Sequence, residues 1–361
     1  MKNALINILL VLILSGYLQE GTCQITQFKL EDYKPGSTTS EIPLFTRDEL
    51  IEITISTDLR TLVFDVGDER DSHKGTLSYL NGADTINQQI SIKTRGNYRR
   101  DRSTCTFPPL RINFNKDTLP GMLFSGMKDV KLVTHCQDRK VHTDYVLEEY
   151  LIYRILNQFT DLSYKVRLVR VTYLDTKDRV KPTEQYGFFI EPTSKMAKRN
   201  GGREIELKGL ALNHVNHPII NLFTVFQYFI ANTDWSIHAL HNVKLVSFSS
   251  EPMAIPVPYD FDFSGTIYTY YALPDSALRI PSVRVRLFRS NCRKLEELQA
   301  TFNLFREKKE QVYDLYRNFP YLEEKKIKRI LKYYDDFYET LDNPKAAQRA
   351  FERCPKKKDK T

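Results

Sequence analysis

The 361-residue sequence is 41% hydrophobic and 12% aromatic, enough apolar content for a large core, which excludes a disordered or fibrous chain. Lys and Arg number 53 against 45 acidic residues, a formal net charge of +8 that gathers partly in Lys356-Lys357-Lys358-Asp359-Lys360 and is diffuse elsewhere. A nucleic-acid surface needs a basic stripe interleaved with exposed aromatics, and the sequence has none, so nucleic acid is excluded as a partner.

Lys2 and the apolar run over residues 4–18, followed by Gln19-Glu20-Gly21-Thr22-Cys23, have the form of a cleaved secretory signal, and the run is short for a bilayer span. Residues 1–23 are assigned to it. The expectation is an exported protein, periplasmic, cell-surface or extracellular, with no integral membrane span after cleavage. Of the five cysteines, four then remain for an oxidising compartment, and proximity in sequence favours pairing Cys105 with Cys136 and Cys292 with Cys354. Residues 24–42, polar with Pro35-Gly36 and a Ser-Thr-Thr-Ser run, read as a linker.

Alternation of apolar residues predicts strands over 51–55, 88–93 and 110–114, a short, mostly apolar run predicts another over 130–133, and strand character resumes over 164–173 and 185–190. One helix interrupts them, capped by Thr143 or Asp144 and carrying Val146, Leu147, Tyr150, Leu151, Ile155 and Leu156 at helical spacing. After Glu191 the character changes. Residues 219–231 form an apolar helix, 243–263 alternate strands and turns, and two amphipathic helices fill 294–341 with a break at Asn318-Phe319-Pro320. The fold class is α+β: a strand-rich lobe over 43–192, a helical lobe carrying the active-site loops over 193–345, and a basic tail over 346–361.

Polar residues concentrate just past the apolar helix, in Asn232-Thr233-Asp234-Trp235-Ser236-Ile237-His238-Ala239-Leu240-His241-Asn242, a loop held by rigid structure, where sites commonly form. Asp234 can accept a proton or orient a hydroxyl. Asn242 offers a neutral amide oxygen. Downstream, Asp260-Phe261-Asp262 places two carboxylates at a strand end, on one side if the strand continues. Two carboxylates and an amide make a hard-cation site with positions left open for phosphate oxygens. His238 and His241 are read as loop-packing or hydrogen-bonding residues, and Trp235 as a loop or core anchor. A zinc hydrolase built on Asp234, His238 and His241 is a further reading of the same loop.

The ordered Asp…Asn loop, the hairpin after it and the Asp-Phe-Asp turn resemble the catalytic and metal-binding loops of protein-kinase-like folds. More narrowly, Lys93-Thr94-Arg95-Gly96-Asn97, Leu110-Arg111-Ile112-Asn113-Phe114, Lys131-Leu132-Val133, Tyr186-Gly187-Phe188-Phe189-Ile190-Glu191, Asn232-Thr233-Asp234-Trp235, His241-Asn242 and Asp260-Phe261-Asp262 together are similar to the spore-coat CotH family of secretory atypical kinases. The resemblance implies a two-lobed kinase-like fold using ATP with Mg²⁺ or Mn²⁺. Asp234 would orient the acceptor hydroxyl, Asn242 and Asp260 would hold the metal, and Asp262 would be a second or substitute ligand. Arg95-Gly96-Asn97 would cover the nucleotide, and Arg111 or Lys131 would pair with its phosphates. Four features depart from the pattern: there is no GxGxxG loop, the strand after the Arg-Gly-Asn turn brings Cys105-Thr106-Phe107-Pro108-Pro109-Leu110-Arg111 where a Lys is usual, Asp234 and Asn242 stand eight positions apart against about five in the ordinary protein-kinase loop, and Asp260 is followed by Phe-Asp instead of Phe-Gly.

Glu191, ending a strand, can face the nucleotide cleft. Glu148 or Glu149 can pair with the phosphate-binding cation, although adjacent glutamates on a helix are usually solvated. Arg99-Arg100-Asp101-Arg102 fits either a phosphate grip or a charged hairpin tip. The function expected from the resemblance is phosphoryl transfer to a hydroxyl of an exported protein or surface glycan. Its alternative is a non-catalytic exported binding protein that keeps the fold.

Overall fold

Ile51–Thr57 (β1), His73–Asn81 (β2), Asp84–Thr94 (β3), Leu110–Phe114 (β4), Asp129–Val133 (β5), Val166–Asp175 (β6) and Thr183–Ile190 (β7) close into a barrel of order β1-β2-β3-β4-β5-β7-β6. The computed structural model describes residues 42–114 and 121–352. The expected signal, nearly all of the linker, Cys23 and Cys354 lie outside them. Neighbouring strands are antiparallel except at the seam, where β1 runs parallel to β6 with Ile51 opposite Val169 and Thr57 opposite Asp175. One face of every strand fills the interior: Ile53, Ile55, Leu77, Ile90, Ile112, Leu132 and Val171 are all buried there. The opposite face of β4 and β5 carries Arg111 and Lys131, paired in register, so the two cations stand side by side outside the barrel.

A short helix, Leu59–Phe64 (α1), follows β1, and the long helix Lys140–Phe159 (α2) lies between β5 and β6. It begins three residues before the predicted cap. Thr143 and Asp144 are inside it, and Arg139 at the N-cap makes no side-chain capping bond. Asp144, a full turn inside the helix, has its carboxylate held instead by Lys140 at 3.2 Å and Lys326 at 3.3 Å. Tyr153 of α2 packs on Phe188 of β7, tying helix to barrel.

The change from strands to helices falls between Ile190 and Thr193–Arg199 (α3). His217–Phe229 (α4) is buried along nearly its whole surface. Arg203–Ile205 (β8), Val243–Phe248 (β9) and Glu251–Pro258 (β10) form a three-stranded sheet of order β10-β9-β8. The expected pair of amphipathic helices is instead three, Leu295–Glu307 (α5), Lys309–Arg317 (α6) and Glu324–Asp342 (α7). Lys308 ends one helix and starts the next without Gly or Pro to announce the break. Part of the expected tail is helical as well. Pro344–Phe351 (α8) is capped by Asn343, which accepts from the Ala346 amide at 3.1 Å, and it buries Phe351 against Tyr228, Phe288 and Phe302. No helix among the described residues is long and apolar enough to cross a membrane.

Glu148 and Glu149 are both buried on α2, each facing a cation from a distant segment. Glu148 pairs with Lys326 of α7, yet burial pushes its carboxyl up to about 7, against the pull of that lysine. A carboxyl raised on folding gives stability that is fully present below its unfolded pKa and is lost as pH rises through the folded one. Between about pH 4.5 and pH 7 this group alone costs the fold roughly 3 kcal/mol. Glu149 and Asp262 act in the same sense, so the comparison with a variant isolates Glu148. Urea unfolding of Glu148→Gln should show a smaller loss of stability from pH 5 to pH 8 than wild type, and equal losses would contradict the assignment.

Candidate active site

The β9–β10 hairpin is what brings the two chemical stretches of sequence together. Val243 and Pro258 are paired at its open end, so the residues just outside, Asn242 and Tyr259, are neighbours, and the Tyr259 amide donates to the Asn242 carbonyl at 3.1 Å. Asn242 and Asp260 take positive φ, 52° and 63°, which turns the chain sharply at both mouths of the hairpin. Asp260 and Asp262 therefore share a turn; the strand stops at Pro258 and does not continue through them. Phe261, fully buried against Tyr153 of α2 and Phe226 of α4, anchors that turn.

Asp234 leaves α4 through a tight exit in which Ala231 takes φ 53°. The Asn232 side chain accepts from the Asp234 amide at 3.0 Å. The carboxylate is held at both oxygens. His241 Nε2 lies 2.8 Å from Oδ1, and Asn242 Nδ2 donates to Oδ2 at 2.9 Å and to the Asp234 carbonyl at 2.8 Å. The bond to Asp234 raises the His241 pKa above its ordinary value, against desolvation. These bonds engage the Asn242 amide nitrogen, which suits its oxygen to a cation. The second loop is tied to the first: Gly265 and Thr266 donate to the carbonyls of Ala231 and Ile230 at 2.9 and 3.1 Å. Gly265 has to be glycine, because a Cβ there would lie 2.2 Å from the Val283 carbonyl oxygen and 2.8 Å from the Ala231 Cβ.

Cations from the barrel face this pair of loops. Arg95, just past β3, donates to the Leu110 carbonyl at 3.2 Å; burial lowers its pKa and Asp260 opposes that shift. Lys131 sits 5.3 Å from the Tyr259 ring centroid. Burial, helped by Arg95 and Arg111 and opposed by Asp260, brings its ammonium down to about 8. Gly96 turns with φ 86°, a conformation that favours glycine. It leads through exposed Asn97 to Tyr98, whose ring packs 5.3 Å from Phe263. Arg111 is more exposed and leans on Asp129 at 3.7 Å.

Three groups complete the site: Arg99 and Glu149, which the sequence offered only beside solvated alternatives, and Tyr271, which it did not single out. Arg99 is buried, donates to the Thr134 carbonyl and lies 3.8 Å from Glu149. Burial works against its charge, and Tyr271, Asp262, Glu149 and Asp260 together more than restore it. Glu149 is held well above the usual carboxylate range by burial, then by Asp262 and Asp260. The Tyr271 hydroxyl donates to Asp262 Oδ2 at 2.9 Å. Asp262 is pushed up to about 7 by burial and by Asp260 beside it. Two carboxylates crowded in this way are a place where a cation relieves repulsion.

Glu191 stands apart. Its carboxylate is filled by Arg199 at 2.9 Å and by the Lys165 amide at 3.0 Å, a structural tie between α3 and the start of β6. His238 is exposed. Among the described residues no group of three or more His, Cys, Asp and Glu is placed to hold a metal, so Asp234, His238 and His241 do not assemble a zinc site. Cys105 and Cys136 are joined, as proximity suggested, beside Tyr271 and Phe263. Cys292 is disulfide-bonded too, and its expected partner Cys354 lies outside the described residues. No protein-family model matches the chain, and no curated protein matches it significantly.

Proposed function

We propose that the protein is an exported, CotH-like atypical kinase that transfers a phosphoryl group from ATP to a hydroxyl of an exported protein or surface glycan. The observation that carries this reading is the meeting, at one hairpin mouth, of Asp234 and Asn242 with Asp260 and Asp262, opposite Arg95 and Lys131 on the barrel. Phosphoryl transfer asks a protein for positive charge, a metal site and alignment, and little covalent chemistry.

Asn242, Asp260 and Asp262 are hard oxygen donors of the kind Mg²⁺ or Mn²⁺ takes alongside substrate phosphates. Bound with ATP, the cation supplies charge neutralisation on the transferring group. Asp234, fixed by His241 and Asn242, orients the acceptor hydroxyl and takes its proton. Lys131 and Arg95 place positive charge on the barrel side, and the Arg95-Gly96-Asn97 turn covers the nucleotide. Arg111 extends that charge outward.

Ligand binding to the folded state alone stabilises by about 2.7 kcal/mol at a hundred times its dissociation constant. ATP with Mg²⁺ should therefore raise the melting temperature, and Asp260→Ala should abolish the rise. Absence of any shift at saturating ATP with either metal would replace this reading with the non-catalytic binding protein.

A further inference from the structure

Residues 230–242 run from the end of α4 to β9 with little regular backbone pairing, so the carbonyls there depend on donors from elsewhere. Backbone amides, among them those of Gly265, Thr266, Gly209 and Tyr259, fill several of them, while one basic stretch, Arg284-Val285-Arg286-Leu287-Phe288-Arg289, supplies the carbonyls of Thr233 and Trp235 and others that flank the loop. Arg284 donates to the Gly265 carbonyl at 3.0 Å, behind the metal loop. Arg286 donates to the carbonyls of Phe229 at 3.3 Å and Tyr333 at 2.6 Å, closing the end of α4. Arg289 reaches the loop of Asp234 itself.

We propose that Arg289 is a positioning residue for Asp234, an inference that rests on the reading of Asp234 given above. Its Nη1 donates to the Thr233 carbonyl at 2.6 Å and to the Trp235 carbonyl at 2.8 Å, the residues immediately before and after Asp234. One guanidinium nitrogen thus pins both flanks of the residue and leaves its carboxylate free to face His241 and Asn242. The guanidinium also lies 4.6 Å from the centre of the Trp235 ring. That ring packs edge-on against Phe223 of α4 at 4.9 Å, so the clamp is braced on the rigid helix. A planar, permanently charged group that both stacks and donates suits this position better than an ammonium. Arg289 touches no reacting atom; it acts by fixing where the Asp234 carboxylate stands.

Trp235 is the only tryptophan, so its emission reports this clamp whether or not the protein turns over. Arg289→Met keeps the side-chain stem and removes the donor. It should shift Trp235 emission to the red, raise its quenching by acrylamide, and speed amide exchange over 233–242 while β9 and β10 stay protected. Phosphoryl transfer should fall by about 10- to 100-fold in kcat, the effect of a small misplacement, with Mg²⁺–ATP stabilisation retained. Arg289→Lys should recover part of each, and carries the same measurements if the Met variant does not fold. Unchanged emission and exchange, or a loss of nucleotide binding equal to the loss of turnover, would overturn the proposal. A wild-type protein that transfers no phosphate would instead sink the kinase reading, and emission and exchange would still decide whether Arg289 holds the loop.

Discussion

Asp234→Asn should lower turnover by about 10²–10⁴ while leaving Mg²⁺–ATP stabilisation nearly intact, the usual size of a positioned general base. The amide keeps the shape, and its oxygen can still accept from Asn242. What it loses is the charge that takes the acceptor proton and that faces His241 across 2.8 Å. Asp260→Asn should fail differently, weakening nucleotide binding and turnover together, because Asp260 is assigned to the metal in both ground and transition state. His238→Ala should be mild, since that side chain is exposed and does not share the Asp234 bonds. Steady-state kinetics beside thermal shifts on the three variants separate the roles. A His238 variant as damaged as the Asp234 one would break the assignment.

Removing the Cys105–Cys136 disulfide by double Ser substitution should cost about 3–4 kcal/mol, from the loop entropy of a 31-residue separation. The cross-link does more than shorten the unfolded chain. It joins the turn that carries Arg99 to the loop ahead of α2, where the Phe107 amide donates to the Cys136 carbonyl at 2.9 Å. It also packs on Tyr271, the hydroxyl that holds Asp262. The double variant should therefore lose nucleotide-dependent stabilisation along with stability. Urea unfolding at one pH, with and without Mg²⁺–ATP, measures both, and a stability loss under about 1 kcal/mol would contradict the entropic account.

Most of the barrel could be read from alternation and short apolar runs. β4 matches its predicted span to the residue, and β1, β3, β5, β6 and β7 each contain theirs or overlap most of it. β2 could not be read in this way. In His73-Lys74-Gly75-Thr76-Leu77-Ser78-Tyr79-Leu80-Asn81 only Leu77 and Tyr79 are buried, and Leu80 faces solvent. Its place is settled by pairing with β1 and β3, which no local pattern encodes. The site divides similarly. Asp234, Asn242, Asp260 and Asp262 announce themselves by density of polar residues around a hairpin. Glu149 and Arg99 do not, because an adjacent glutamate pair looks solvated until two unrelated segments deliver Lys326 and Arg99 to it. Glu191 misleads for the mirror reason: it ends a strand as a cleft residue would, but Arg199, eight residues on, claims its carboxylate. Partner choice by buried charges is a tertiary property.

The parallel seam sets an order of events for the nascent chain. Glu52 of β1 and Arg170 of β6 are register partners and an ion pair, yet 118 residues separate them. Until β6 has been synthesised, β1 can pair only with β2 and presents a bare edge to any other strand. Closure is a long-range contact, of the kind that folds slowly and leaves intermediates prone to self-association. Chains truncated before Val166 should accordingly accumulate as aggregates, whereas chains extending past Ile190, which also supply β7 between β5 and β6, can seal the cylinder and leave no open strand in it.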